Sequence, residues 1–335
     1  MVNVWQWKES SADKNPWLIG AGIALAVLLV IMLVLAFWWS RAPKSFWVAS
    51  DVSGQRAPVG YSTTQTLIEV TELLLEKPGG YLSNDIAPPG VFLDNIPSWE
   101  FGVVVQVRDL ARALRNDFSR SQSQSTEDPD LARAEPVLNY DHNSWMLPSS
   151  EGQYKKGIRY LKAYRDRLSD PENKGVQFYA RADNLREWLA VVEKRLGSLS
   201  QRLSASVGQV RINTDLAGDR AAENTDTLPE YVSVKTPWLK IDNVFFEARG
   251  TTWALVHFLR AAQFDFEKVL RDKNAVISLR QIIRELESGL RPLKSPLILN
   301  GSGYGIFANH SLVLASYLSR ANSAVINLRE LLDQG

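Results

Sequence analysis

Few side chains in this 335-residue sequence are suited to chemistry near neutral pH. The chain has no cysteine, which excludes disulfides, zinc–thiolate sites, cysteine-ligated iron–sulfur clusters and cysteine nucleophiles. Its three histidines, His142, His257 and His310, form no HxxxH or HExxH pair, so we predict no metal site. The sequence has no GxSxG motif either, and we expect neither a nucleophilic triad nor a cofactor.

The segment with the most distinctive chemistry is FFEARGTTWALVHFLRAAQFDF, residues 245–266. Several of its side chains recur at helical spacing beside an apolar stripe. Glycine inside a helix costs about 1 kcal/mol relative to alanine, so Gly250 indicates close approach by another helix or by a ligand. One hypothesis is a binding face in which His257 is a titratable contact; the favoured alternative is a core face with a hydrogen-bonded histidine among aromatic rings. The candidate binding face consists of Glu247, Gly250, Trp253, His257 and Arg260.

The glycine-dense segment LNGSGYGIF, residues 299–307, is a second candidate site, through Gly301, Gly303 and Tyr304. Phosphate-binding loops use glycine so that backbone N–H groups can approach the anion. This segment has no Gly-Lys-Ser/Thr, does not match the dinucleotide spacing, and follows no convincing βαβ pattern. We therefore expect a tight turn in which Tyr304 and Phe307 pack back onto the helices.

The run WLIGAGIALAVLLVIMLVLAFWW, residues 17–39, is the strongest structural signal in the sequence. No charge lies between Lys14 and Arg41, and a helix of this length spans roughly 34 Å, against about 30 Å for a hydrocarbon core. Tryptophans at both ends are typical of the membrane interface. A buried core helix would have a polar stripe, and a cleaved signal peptide would be shorter and end in small residues. We predict one uncleaved transmembrane helix.

The charges that flank this helix hardly favour either orientation. Lys8 and Lys14 precede it, whereas Arg41, Lys44 and Arg56 follow it. The tail before the helix is too short to be a domain, and a body without cysteine suits an oxidising compartment. We expect the large domain to be extracytoplasmic, in the periplasm.

Beyond the linker the sequence is predominantly helical. Leu185, Leu189, Val192, Leu196, Leu199 and Leu203 alternate spacings of four and three, and similar stripes recur from Phe245 and from Leu314. Such stripes are typical of helices that pack on one another at small angles. We predict an all-α fold, with one N-terminal transmembrane helix followed by an elongated antiparallel helical bundle. The predicted domains are a tail (1–16), the transmembrane helix (17–39), a linker (40–60) and a helical extracytoplasmic domain (61–335) with loop-rich breaks near 119–150 and 208–237.

Four parts of the chain resemble a family of uncharacterised proteobacterial membrane proteins, the domain of unknown function 2333. They are the N-terminal span, GYSTTQTLIEVTELLLEKPGGYLSND, IPSWEFGVVVQVRDLARALRNDFSRSQS and EARGTTWALVHFLRA. The resemblance covers nearly the whole chain and implies a bacterial inner-membrane protein. It supplies no activity, cofactor or catalytic residue.

Charge and composition favour a binding function. Lys plus Arg (38) nearly balance Asp plus Glu (37), so a nucleic-acid partner is not expected. Our leading hypothesis is a membrane-anchored interaction or scaffold protein of the cell envelope that binds a protein partner and can form a homo-oligomer. The alternative is a bundle that binds an apolar ligand or lipid beside residues 245–266. An enzyme, the least favoured, would need at least two of Glu247, Arg249, His257 and His310 to meet in a cleft.

Overall fold

The computed structural model describes residues 16–48, 51–52, 55–121, 126–170, 172–173, 175–212, 231–295 and 297–334. The tail predicted for residues 1–16 lies outside them except for Pro16, as do residues 213–230 of the second predicted break. The helices are α1 (Pro16–Trp39), α2 (Tyr61–Glu76), α3 (Asn95–Ala113), α4 (Pro129–Leu138), α5 (Ser150–Ser169), α6 (Ala182–Ser204), α7 (Ile241–Asp265), α8 (Glu267–Asp272), α9 (Val276–Gly289) and α10 (His310–Asp333). Two antiparallel hairpins pair β1 (Asp51–Val52) with β2 (Gln55–Arg56) and β3 (Gln209–Ile212) with β4 (Tyr231–Val234). The predicted all-α fold with one N-terminal apolar helix is confirmed.

Helix α1 stands apart from the hydrophobic core. It is apolar on all sides, and its side chains are exposed over most of its length. Among the described residues it is the one helix long and apolar enough to cross a membrane, and its most apolar stretch of 18 residues has a mean hydropathy of 3.1. Its last residue, Trp39, is half-buried and packs over Gly79, just beyond the end of α2. The connection to the bundle therefore begins at Trp39.

Helix α7 lies in the middle of the bundle, between α2, α3 and α9. Helix α3 runs parallel to it: the Trp99 ring near the start of α3 lies 5.2 Å from the Trp253 ring in the middle of α7, and the Phe118 ring, just beyond α3, lies 5.3 Å from the Phe266 ring, just beyond α7. Because α3 and α7 are separated by more than a hundred residues of intervening chain, they need not alternate direction as a simple hairpin does.

The helices on either side of this pair run in the opposite direction. Thr63 at the start of α2 donates hydrogen bonds to Asp265 at the end of α7. Arg202 near the end of α6 pairs with Glu247 near the start of α7. Helix α10 lies antiparallel to α6 and α9. Most neighbouring helices of the bundle are therefore antiparallel, whereas α3 and α7 are parallel.

Most apolar stripes predicted from spacing are buried as expected. All six residues of the α6 stripe, from Leu185 to Leu203, are buried, and so are Leu314, Leu318, Ala321, Val325, Leu328 and Leu332 of α10. Each stripe faces the neighbouring helices because residues three and four apart share one side of a helix. Spacing alone therefore identified which residues form the core.

Residues 119–150 contain a helix that the sequence did not indicate. Helix α4 begins where the Asp128 side chain accepts hydrogen bonds from the backbone N–H groups of Asp130 and Leu131, and Pro129 occupies the first helical position. Its ten residues bury Leu131 and Leu138 but are too few to show a sustained period.

The bundle has two ends, which we define by the helices that meet there. At the anchor end lie the beginnings of α3, α5, α7 and α10 and the ends of α2, α6 and α9. Trp39 reaches the bundle at this anchor end, since Gly79 follows α2. At the distal end lie the beginning of α2, the end of α7, and α8. The connections that join helices at the same end are therefore neighbours.

Candidate functional site

The predicted binding face on α7 is largely occupied by contacts within the chain. A Cβ atom placed on Gly250 would lie 2.0 Å from the Trp99 carbonyl oxygen, so this glycine permits the close packing of α3 that its position suggested. Glu247 pairs with Arg202 at 2.6 Å, and Arg260 pairs with Glu287 at 2.7 Å. Both charged members of the face therefore have partners on other helices.

Trp253 and His257 are buried beneath the segment that follows α1. We call residues 40–48 the strap. The Phe46 ring stacks on the His257 imidazole with centroids 4.1 Å apart and meets Trp253 edge-on at 6.2 Å. The backbone N–H of Phe46 donates to Nε2 of His257 at 3.1 Å, and Nδ1 of His257 lies 2.6 Å from the Trp253 carbonyl oxygen. The imidazole thus connects the strap to α7.

The surroundings of His257 keep its imidazole neutral. Burial lowers the pKa of His257 from its ordinary 6.5 to about 4, and the nearby Arg260 guanidinium lowers it further, while the hydrogen bond to Trp253 acts against both. A neutral ring carries its proton on Nδ1, where it donates to the Trp253 carbonyl, and leaves Nε2 free to accept from Phe46. A protonated ring could not accept that hydrogen bond.

The strap leaves one large aromatic side chain on its outer surface. Trp47 is 92% exposed, although its neighbour Phe46 is held against His257. His257 lies 16 residues after the first residue of α7, which corresponds to about 24 Å along the helix axis. Trp47 is therefore displayed on the side of the bundle, beside the middle of α7.

The glycine-dense loop makes a tight turn, but its aromatic side chains do not pack back onto the bundle. The Gly301 N–H donates to the Ala308 carbonyl at 3.1 Å, and a Cβ on Gly301 would lie 2.1 Å from the Phe307 carbonyl oxygen. Gly303 has a φ of 86°, which favours glycine. Tyr304 is fully exposed and Phe307 is 72% exposed. The expectation that both would cover the bundle is wrong, because both side chains are turned towards solvent.

Two of the clefts at the anchor end bring ionisable side chains together. The first, of about 400 Å³, is lined by Asp85, Asp94, His142 and Glu247. Burial, followed by the Glu151 carboxylate, raises the pKa of Asp85, whereas burial and then Arg108 lower the pKa of His142. These groups come from two separate connections and from helix α7, so no spacing in the sequence could have brought them together.

The second cleft, of about 280 Å³, lies between α7, α9 and α10 and is lined by basic side chains. Arg249, Arg291, Lys294 and His310 line it. The Arg249 guanidinium donates to the carbonyls of Gly289, Leu290 and Arg291 and so caps the end of α9. Burial lowers the pKa of Arg249. Of the four residues that an enzyme would require, Arg249 and His310 share this cleft.

The carboxylates buried away from the predicted sites include Glu100 and Asp265. Glu100 forms an ion pair with Lys77 at 2.5 Å, with both side chains inaccessible, and it also accepts hydrogen bonds from the backbone of Leu82 and Ser83. Asp265 accepts from the backbone and hydroxyl of Thr63 and so caps α2 from another helix. Burial raises the pKa of Glu100 and Asp265, although these donors partly oppose it. These carboxylates hold connections and helix ends in place.

The three histidines occupy separate places in the fold. His257 lies under the strap, His142 packs 4.8 Å from the Phe101 ring, and His310 lies 6.4 Å from the Phe245 ring. In the part of the chain that the structure describes, no group of three or more His, Asp or Glu side chains is arranged to hold a metal ion.

Taken together, these features define an all-α protein in which one exposed apolar helix leads, through a docked strap, into a packed helical bundle. The chain belongs to the family described as uncharacterized protein conserved in bacteria (DUF2333), which matches residues 11–335. Comparisons with curated proteins and with solved structures give no match.

Proposed function

We propose that the protein is a membrane-anchored helical interaction protein of the bacterial cell envelope. In this proposal α1 spans the inner membrane once and the bundle lies in the periplasm. The outer surface of the strap around Trp47, which we call the strap face, binds a protein partner. The observation that carries it is the exposed Trp47, which is held at the side of the bundle by Phe46 on His257. Tryptophan is one of the residues that most often contribute a large share of the binding energy in a protein interface.

The anchor supports binding by confining the bundle to the membrane. A partner in the same membrane or next to it meets the strap face at a high effective concentration, so modest affinity suffices. Three buried ionisable groups described above have structural roles. Glu100, Asp265 and His257 each satisfy a specific neighbour within the fold, as structural groups do.

Membrane topology is tested by fusing reporters to the carboxyl terminus. A reporter that is active only in the periplasm is expected to work there, because α1 crosses the membrane once and the short tail stays inside. A reporter that works only in the cytoplasm serves as the matched control. Activity of the cytoplasmic reporter at this position would overturn the orientation.

Partner binding is tested with a photo-crosslinking residue placed at Trp47 in intact membranes. We expect a discrete protein adduct that Trp253→Ala or His257→Ala diminishes, since each change releases the strap, while the helical circular dichroism is unchanged. Ile277 is 79% exposed at the distal end and provides the matched control position. Equal adducts at both positions, or full recovery of the partner with both variants, would contradict a binding site on the strap face.

A further inference from the structure

Exposed aromatic and aliphatic side chains are concentrated at the anchor end of the bundle. Four separate connections carry them: the one before α3, the α4–α5 loop, the turn before α7 and the α9–α10 loop. Six of the large apolar side chains on these connections are each at least half exposed. We call this set the apolar rim: Phe92, Trp145, Trp238, Tyr304, Ile306 and Phe307.

Contacts between the connections place them at one end of the molecule. The Asn84 side chain donates to the Ser144 carbonyl at 2.8 Å, which joins the connection before α3 to the α4–α5 loop. Phe245 in the first turns of α7 lies 6.4 Å from His310 at the start of α10, which brings the turn before α7 close to the α9–α10 loop. The rim is therefore a feature of one end and not a scatter of single exposed residues.

The position of α1 indicates what covers this end. Trp39 ends α1 and packs over Gly79, at the same end of the bundle as the four connections. If α1 spans a bilayer, Trp39 lies at the level of the lipid headgroups, and the rim is brought to the same surface. Tryptophan, tyrosine and phenylalanine are the side chains that favour this interface, because their rings are apolar while the indole N–H or phenol hydroxyl stays hydrated.

Charge contributes less than apolar contact at this end. Lys240, Arg291 and Lys294 are exposed beside the α7 and α10 connections, but Asp94 and Asp141 are exposed beside the other two. The basic groups suit anionic lipid headgroups, and the acidic groups do not. Insertion of the rim side chains must therefore supply the main attraction, as it does for proteins that lie on a membrane surface.

We propose that the apolar rim inserts into the headgroup region of the bilayer that α1 crosses, so that the bundle stands upright on its anchor end. This proposal rests on the proposed membrane span of α1. It gives the lipid surface a second, direct contact with the protein. It also leaves Trp47 and the strap face on the side of the bundle, about 24 Å along α7 from its first residue and open to a protein partner.

The test uses spin labels on the full chain in nanodiscs of phosphatidylethanolamine and phosphatidylglycerol. The chain has no cysteine, so one introduced cysteine gives one labelled site. Labels at Met146→Cys and Ser302→Cys report the rim and leave its aromatic residues intact; Leu28→Cys reports α1, and Asp272→Cys reports the distal end. Collisions with oxygen indicate lipid, and collisions with a water-soluble nickel chelate indicate water.

We expect the labels at positions 146 and 302 to be shielded from nickel and accessible to oxygen, and the label at 272 to behave in the opposite way. If the rim labels are as accessible to nickel as the label at 272 while the label at 28 is shielded, insertion of the rim is wrong but the membrane span of α1 is correct. Nickel access at position 28 would overturn both. Rim labels in water in nanodiscs, together with protein crosslinks to the rim in cells, would replace the lipid surface with a protein partner.

A triple variant tests whether the rim side chains themselves cause the insertion. Replacing Tyr304, Ile306 and Phe307 with serine is expected to move the label at position 302 from lipid to water without loss of helical circular dichroism, because all three side chains are exposed. Ile277→Ser, at an exposed apolar residue of the distal end, is the matched control and should change nothing. An unmoved label in the triple variant would contradict insertion by these side chains.

Discussion

His257 shows how one buried side chain can join an anchor segment to a folded body. Its imidazole accepts a hydrogen bond from the strap, donates to its own helix and stacks on Phe46. Of these contacts, the hydrogen bond from the strap needs the neutral ring with its proton on Nδ1. The bond at Nε2 is lost on protonation, so the strap is held most firmly where His257 is uncharged.

The pH dependence of stability is expected to show this. The folded-state pKa of about 4 lies below the ordinary 6.5, so the unfolded chain binds more protons between these values. The contribution of His257 is complete above pH 6.5 and is lost as the pH falls, at about 1.4 kcal/mol per pH unit until about pH 4. Thermal unfolding of wild type and His257→Gln at a series of pH values, in detergent, measures it.

The comparison between the two proteins is needed because other groups titrate in the same range. Burial raises the pKa of Glu100 and Asp265, so their protonation favours the folded state as the pH falls and opposes the effect of His257. Glutamine does not titrate and still offers an oxygen to the Phe46 N–H. The same pH slope in both proteins would show that His257 is not held neutral.

At the scale of elements, the pair of helices α3 and α7 depends on two glycines. A Cβ on Gly102 would lie 2.1 Å from the Glu247 carbonyl oxygen, and one on Gly250 would lie 2.0 Å from the Trp99 carbonyl oxygen. Each contact involves backbone and not the flexible end of a side chain. The two helices must therefore separate to accept even a methyl group.

Gly250→Ala is expected to destabilise the protein by about 1–3 kcal/mol, as overpacking of a close-packed contact does. Gly197 in α6 is the matched control, since the nearest heavy atom to its Cβ position is 3.6 Å away. Gly197→Ala should stabilise the protein by about 0.5–1 kcal/mol through the higher helix propensity of alanine. Thermal unfolding measures both, and similar behaviour of the two variants would disprove the close contact at Gly250.

At the scale of the whole molecule, the proposed lipid contacts and the proposed protein-binding surface lie in different places on the bundle. The apolar helix α1 and the apolar rim lie at the anchor end, and Trp47 is displayed on the side. The proposed functions use this order: lipid at one end and a protein partner on the flank. The distal end exposes fewer large apolar side chains among its described residues, of which Ile277 is the most exposed.

The full chain is expected to stay in the membrane fraction when membranes are washed with concentrated salt, and to be released by detergent. Salt at about 1 M reduces the Debye length to about 3 Å and so weakens charge contacts, but it does not reduce the burial of apolar surface. Immunoblots of the washed membranes and the supernatant measure the distribution. Release by salt alone would refute both the span and the insertion of the rim.

The sequence by itself determined the helical fold, the apolar helix and most of the core. These properties depend on local spacing, since residues three and four apart share a helix face, as the buried α6 and α10 stripes show. It also identified the α7 segment and its buried glycine. A helix as short as α4 was missed because its ten residues give too few repeats of the period.

Only the tertiary structure decided which distant residues meet. The strap on His257, the Lys77–Glu100 pair and the cap of α2 by Asp265 join residues 211, 23 and about 200 positions apart in the chain. Four loops from different parts of the sequence form one apolar end for the same reason. Such contacts depend on the direction in which each helix packs, and that direction is set by the sum of many weak contacts over the whole bundle and not by any local pattern.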